Sequence, residues 1–192
     1  MRLGPAMSPG SLVYVMGPSG AGKTGIIDYA RKKIEGSLPV AVAHRYITRP
    51  LGQDVENYIA LSPAEFLLRK TCGVFAFDWD AYGFNYGIGI EIRSWLSAGL
   101  TVVVDGSRAH FSRQDLALPG VVPVLITAGR DELRRRLTTR EREDIAAIEK
   151  RLERAEQFTP ADLSLVTIDN SGAIAKAGEA FLALLTERVR KR

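Results

Sequence analysis

Residues 17–24 read Gly-Pro-Ser-Gly-Ala-Gly-Lys-Thr and match the pattern G-x-x-x-x-G-K-[ST]. They lie between an apolar run, Leu12-Val13-Tyr14-Val15-Met16, and a helical stretch from about Gly22 to Glu35. In that setting the glycines let the backbone curl until successive N–H groups converge. The helix N-terminus adds partial positive charge to the concavity. Gly17, Pro18, Ser19, Gly20, Ala21, Gly22, Lys23 and Thr24 are therefore expected to cradle nucleotide phosphates. Lys23 supplies a compact cation to the β- and γ-phosphates, and the Thr24 hydroxyl is placed to ligate Mg²⁺. A strand, loop and helix of this kind require an α/β fold with its ligand at the strand ends.

The rest of the chain supplies that fold. Val40-Ala41-Val42-Ala43, Thr101-Val102-Val103-Val104, Val124-Leu125-Ile126 and Leu165-Val166-Thr167-Ile168 are apolar runs without polar alternation, separated by helical stretches. Such runs suit a five-stranded parallel sheet flanked by helices, the core of a P-loop nucleotide-binding protein. A single domain over 12–192 is expected, with its core in 12–44, 90–130 and 158–192 and a flexible N-terminus over 1–11. Two stretches break the alternation. Residues 45–89, rich in Gly, Asn, Asp and Tyr, predict an inserted acceptor lobe with a small mixed sheet and one helix. That helix begins at Ser62-Pro63-Ala64-Glu65, read as an N-cap, a first-turn proline and a reciprocal capping glutamate. Residues 131–157 predict a lid of two charged helices joined at Thr139 to Glu143. Its second helix has only a narrow apolar stripe of Ile145, Ile148, Leu152 and Ala155, hence a weak anchor.

Composition narrows the function. Lys and Arg number 26 against 22 Asp and Glu, and aromatics are 8%, which disfavours a base-stacking nucleic-acid surface. Cys72 is the only cysteine, and His44 and His110 are the only histidines, so no zinc cluster is available. Neither a secretory signal nor a membrane span is evident, and a cytoplasmic protein is expected, as a monomer or homodimer. Arg45, Arg49 and Arg108, with His44 and His110, are candidate donors to an anionic acceptor, because arginine's planar fork suits phosphate oxygens. Tyr46, Tyr58 and Tyr86 can add hydroxyl hydrogen bonds, and Asp80 and Asp105 could hold sugar hydroxyls or metal-bound waters.

The phosphate loop resembles that of guanylate kinases, and further segments extend the likeness over nearly the whole chain from Leu12. Thr48-Arg49-Pro50 is similar to that family's grip on the acceptor phosphate. Gly83-Phe84-Asn85-Tyr86-Gly87 is similar to its tyrosine-bearing phosphate segment, and Arg136, Arg140 and Arg151 match by spacing the arginines around its transferring group. The departures are informative. Leu51 and Gly52 offer no second gripping arginine, Ile88 replaces a base-reading hydroxyl, and Ser107-Arg108 follows the central strand. The segments Ala43 to Arg49, Glu56 to Ser62 and Gly106 to His110 resemble those of the ribose 1,5-bisphosphate phosphokinases.

That resemblance implies an ATP- and Mg²⁺-dependent kinase of phosphonate catabolism. Its small phosphorylated-sugar substrate, ribose 1,5-bisphosphate, would be converted to 5-phosphoribosyl 1-diphosphate. Lys23, Arg136, Arg140 and Arg151 would be catalytic, and Asn170 would lie near the adenine. His44, Arg45, Tyr46, Arg49, Tyr58, Asp80, Tyr86, Asp105, Ser107, Arg108 and His110 would form the acceptor site. Glu141 stands where the relatives have a hinge glycine. Asp80, near the place of the guanylate kinases' base-reading glutamate, and Asp105 keep a GMP-phosphorylating enzyme open. A catalytically inert interaction module is the alternative of another class. Lys23, Thr24, Arg140 and Arg151 argue against it.

Overall fold

The computed structural model describes residues 9–50, 57–113, 120–139, 145–156 and 165–191. β1 (Leu12–Met16), α1 (Lys23–Ile34) and β2 (Val40–Val42) open the core. A lobe follows, made of β3 (Arg45–Ile47), β4 (Tyr58–Ala60), α2 (Pro63–Thr71), β5 (Phe75–Ala81) and β6 (Phe84–Gly89). α3 (Glu91–Ser97), β7 (Thr101–Asp105), α4 (Arg108–Arg113) and β8 (Val121–Thr127) return to the core. The helical pair α5 (Arg130–Thr139) and α6 (Ile145–Glu156) precedes β9 (Val166–Asp169) and α7 (Ile174–Arg190).

All five runs read from the sequence become strands of one parallel sheet, ordered β2-β7-β1-β8-β9. Their lack of alternation has a simple cause, since each face of the sheet has its own core. Val13 and Val15 of β1 pack with Ile26 and Ala30 of α1 and with Phe181 of α7. Leu12, Tyr14 and Met16 point the other way, to Phe77, Ile88 and Ile92. The lobe sheet, β4-β3-β6-β5, is mixed: β3 and β4 are parallel, the other pairs antiparallel. Among the described residues no helix is long and apolar enough to cross a membrane.

Three expectations need correction. Gly10 and Ser11, assigned to a flexible terminus, already belong to the fold: Gly10 N–H donates to the Leu96 carbonyl at 2.7 Å, and the Ser11 carbonyl accepts from Val102 N–H at 2.8 Å. At α2, Ser62 does accept from Glu65 N–H at 3.1 Å. The Glu65 carboxylate, however, accepts from Arg69 at 2.6 Å instead of returning to the cap, because an arginine one turn on offers an opposite charge. The lid's second helix is better anchored than its composition suggests, with Ile148 and Leu152 buried in the main core.

β5 and β6 are joined by the two-residue turn Tyr82-Gly83, with φ of 53° and 77°. This is the positive-φ pair of a type I′ hairpin. A tyrosine in the left-handed region costs on the order of 1–2 kcal/mol.

Candidate active site

β1 delivers the chain to residues 17–22, and α1 leaves from them. Gly22 has φ 84°, and a Cβ there would come within 2.3 Å of Asn170 Nδ2, so only glycine fits. No side chain caps α1; the first return bond runs from Ile26 N–H to the Gly22 carbonyl at 3.1 Å. The opening amides of the helix thus face the loop's concavity. Thr24, half-buried, sits in that first turn. Lys23 Nζ lies across the loop, donating to the carbonyls of Gly17 at 3.1 Å and Pro18 at 3.3 Å.

The back of the loop is braced. Asn170, buried at the end of β9, donates through Nδ2 to the Ala21 carbonyl at 2.7 Å, and its Oδ1 is buried with no partner. Arg136 donates through Nη1 to the carbonyls of Gly20 and Ala21, both at 3.3 Å, and through Nη2 to that of Asn170 at 2.8 Å. Its Nε is held by Glu132 at 2.6 Å. Hydrogen bonds from Arg135 and then Arg136 hold that carboxyl down to about 2, so Glu132 stays ionised. Arg136 was expected beside the transferring group. Here its donors are committed to the rear of the loop instead, because α5 runs behind the loop.

Arg151 of α6 reaches the front. Its Nη1 donates to Ser19 Oγ at 2.8 Å. α6 is tied to α5 through Arg130, which pairs with Glu149 at 2.9 Å and Glu156 at 2.6 Å. Arg140 lies outside the described residues, as do Glu141 and the rest of the expected joint after Thr139. Beneath the pair lies a cavity of about 160 Å³ lined by Pro18, Arg108, Leu133 and Leu152 among others. Arg108 donates to the Ala155 carbonyl at 3.3 Å, and burial draws its guanidinium below the usual value.

In the lobe sheet, strand alternation decides which residues meet the core. Registered pairing puts Arg45 beside Ile88 and Tyr58, Ile47 beside Tyr86, and Trp79 beside Tyr86. Arg45 forms an ion pair with Asp105 at 3.0 Å, joining lobe to core at the end of the strand next to β1. Asp105 Oδ1 is buried with no partner. Tyr86 stacks on Trp79, ring centroids 5.6 Å apart and planes within 4°. Tyr58 donates to the Pro50 carbonyl at 2.9 Å and carries the Arg49 guanidinium over its ring at 4.9 Å, so it supports Arg49.

Two expected acceptor residues fall on the opposite face. Tyr46 packs against Phe75 and under Arg69 of α2. Asp80 is exposed and accepts from Asn85 Nδ2; Asn85 N–H in turn donates to Thr48 Oγ1 at 2.9 Å. The register shift between Phe75 and Phe77 sets this parity, turning Phe77 and Trp79 inward and Asp80 outward. His44 is exposed between β2 and β3.

Ser107 and His110 serve the frame. The Tyr14 hydroxyl accepts from Ser107 N–H at 3.0 Å and lies 3.1 Å from His110 Nδ1. His110 is buried among Tyr14, Phe77 and Trp79, and burial lowers its pKa, only partly opposed by Asp78. A cationic role toward phosphate is therefore not what its surroundings favour. Trp79 and Tyr82 were missed by sequence reasoning. A signal existed for Trp79 in its two-residue spacing from Phe77.

Strand order, phosphate loop, lobe and helical pair together define a P-loop kinase of the guanylate kinase fold. The fold matches guanylate kinase from Anaplasma phagocytophilum with a TM-score of 0.69 at 16% identity, covering 95% of this chain and 88% of that one. No family model matches the chain. It is 48% identical over 176 residues to ribose 1,5-bisphosphate phosphokinase PhnN of Desulfomicrobium baculatum, covering 92% of this chain and 94% of that protein. The protein of the same name in Burkholderia mallei is 46% identical over 180 residues, covering 93% and 97%. The chain belongs to the ribose 1,5-bisphosphate phosphokinase family.

Proposed function

We propose that this chain transfers the γ-phosphoryl group of ATP to the 1-phosphate of ribose 1,5-bisphosphate, giving 5-phosphoribosyl 1-diphosphate and ADP. The relatives 48% and 46% identical over the matched residues carry the name of this activity. One structural observation favours the sugar over a purine. Asp80, the candidate base reader, lies on the far face of the lobe sheet from Arg45, Trp79 and Tyr86. Asp105, the other candidate, is committed to Arg45.

The acceptor phosphate oxygen is already an anionic nucleophile and needs no general base. It forms a bond to the γ-phosphorus as the bond to the β-phosphate oxygen breaks, so catalysis rests on alignment and charge neutralisation. Lys23, held 3.1 Å from the Gly17 carbonyl, is proposed to turn to the phosphates that its loop would enclose. Arg151, poised on Ser19, and Arg140 are proposed to neutralise the transferring group. Arg136 and Asn170 keep the loop in shape. Arg45, Arg49, Arg108 and Tyr86 are proposed to receive the acceptor. Among the described residues no group of three acidic, histidine or cysteine side chains could enclose a metal. A Mg²⁺ ion is thus proposed to be held by the Thr24 hydroxyl, nucleotide phosphates and waters, one of them on the orphaned Asp105 Oδ1. Bound there, the cation would offset phosphate charge. The deciding experiment is a coupled assay of ADP release with ribose 1,5-bisphosphate, ribose 5-phosphate and GMP. Turnover with the first alone is expected, and turnover with GMP alone would overturn the reading.

A further inference from the structure

The turn between β5 and β6 places a tyrosine where its backbone favours glycine or asparagine. Among the described residues Tyr82 is the only non-glycine residue with positive φ. Burial does not account for it, since the residue is 49% exposed. What the ring meets is the lid. The Arg151 guanidinium lies over it, 4.2 Å from the centroid, while Nη1 of the same arginine donates to Ser19 Oγ at 2.8 Å. Hairpin tip, lid helix and phosphate loop therefore converge on one guanidinium.

We propose that Tyr82 is a positioning residue whose ring is the platform that holds Arg151 over the phosphate loop, so that acceptor lobe and lid set this arginine together. The proposal rests on the phosphokinase reading and adds a residue to it. An arginine stacks on an aromatic face at little cost in hydration, and its in-plane N–H groups stay available for oxygen acceptors. The turn fixes the backbone, leaving the ring only its two side-chain torsions. Strain of this kind persists where surrounding contacts over-determine it. The strained ring and the arginine on it supply that pairing. An acceptor lobe that swings away removes the platform, so Arg151 is fully set only while the lobe is closed.

Tyr82→Gly is the informative variant, because glycine suits the positive φ and keeps the hairpin while removing the ring. Expected are a turnover reduced about fivefold, the scale of one solvent-exposed cation–π contact, and KM values within about twofold of the parent. Tyr82→Phe should restore most of the turnover. In an Arg151→Ala background, Tyr82→Gly should cause no further loss. Hydrogen exchange on the protein without ligands should show faster exchange in residues 145–156 and none in β1 or β7. The melting temperature should equal or exceed the parent's. Unchanged turnover, an additive loss with Arg151→Ala, unchanged exchange in 145–156, or a lowered melting temperature would each overturn the proposal. If the parent protein does not phosphorylate ribose 1,5-bisphosphate, the functional reading falls, while exchange and melting still decide on the platform.

Discussion

Replacing Arg45 with methionine keeps the length of the side chain and removes its charge, stranding Asp105 in a site where it is only 8% exposed. The pair lies at 3.0 Å, with side chains 16% and 11% exposed. At an effective dielectric of about 20, the attraction at that distance is about 5–6 kcal/mol before desolvation is counted. Desolvation of both ions offsets most of this in the intact pair. Removing one partner leaves the penalty of the other, a loss of about 3–5 kcal/mol. For a chain of this size that lowers the melting temperature by roughly 6–20 °C. Arg45→Met/Asp105→Asn should recover at least half of the loss, which separates the pair from Arg45's other contacts. Urea titrations of parent, singles and double measure it. A loss below about 1 kcal/mol, the scale of exposed pairs, or a double variant worse than Arg45→Met alone, would refute the reasoning.

Lys23→Met should lower turnover by at least about a hundredfold, the scale of one transition-state charge contact, and near-normal turnover would reject its role. His110 has its folded pKa drawn below the ordinary 6.5 by burial. The unfolded chain therefore takes up a proton the folded one refuses, and stability should decline as the pH falls through about 6.5 toward the lower folded pKa. Against His110→Gln, the parent's urea midpoint should drop more steeply between about pH 7 and 5.5; parallel slopes would contradict the burial argument.

Much of the core could be read from sequence because its signals are local. Gly17 to Thr24 combine turn chemistry with a fixed spacing, and valine-rich runs such as Thr101 to Val104 need no partner to be recognised as doubly buried strands. The family likeness rested on short segments, and the identities of 46–48% bear it out. What escaped depends on parity and distant pairing. One irregular step between Phe75 and Phe77 turned Asp80 outward, and the pairing of Tyr46 with Gly87 put it on the same outer face. Arg45 meets Asp105, 60 positions further along the chain, by a lobe-to-core contact that no periodicity announces. Tyr82 carried a weak signal, a residue before glycine between two strands, but nothing local indicated its arginine.

The Ala21 carbonyl is gripped by two donors, Arg136 and Asn170. In a trans peptide the C=O and N–H are antiparallel, so an oxygen pinned outward turns the Gly22 proton inward. Donors on the oxygen also draw electron density along the amide and sharpen that proton as a hydrogen-bond donor. A guanidinium 115 positions beyond that carbonyl thus conditions the main-chain proton on the other side of the peptide bond.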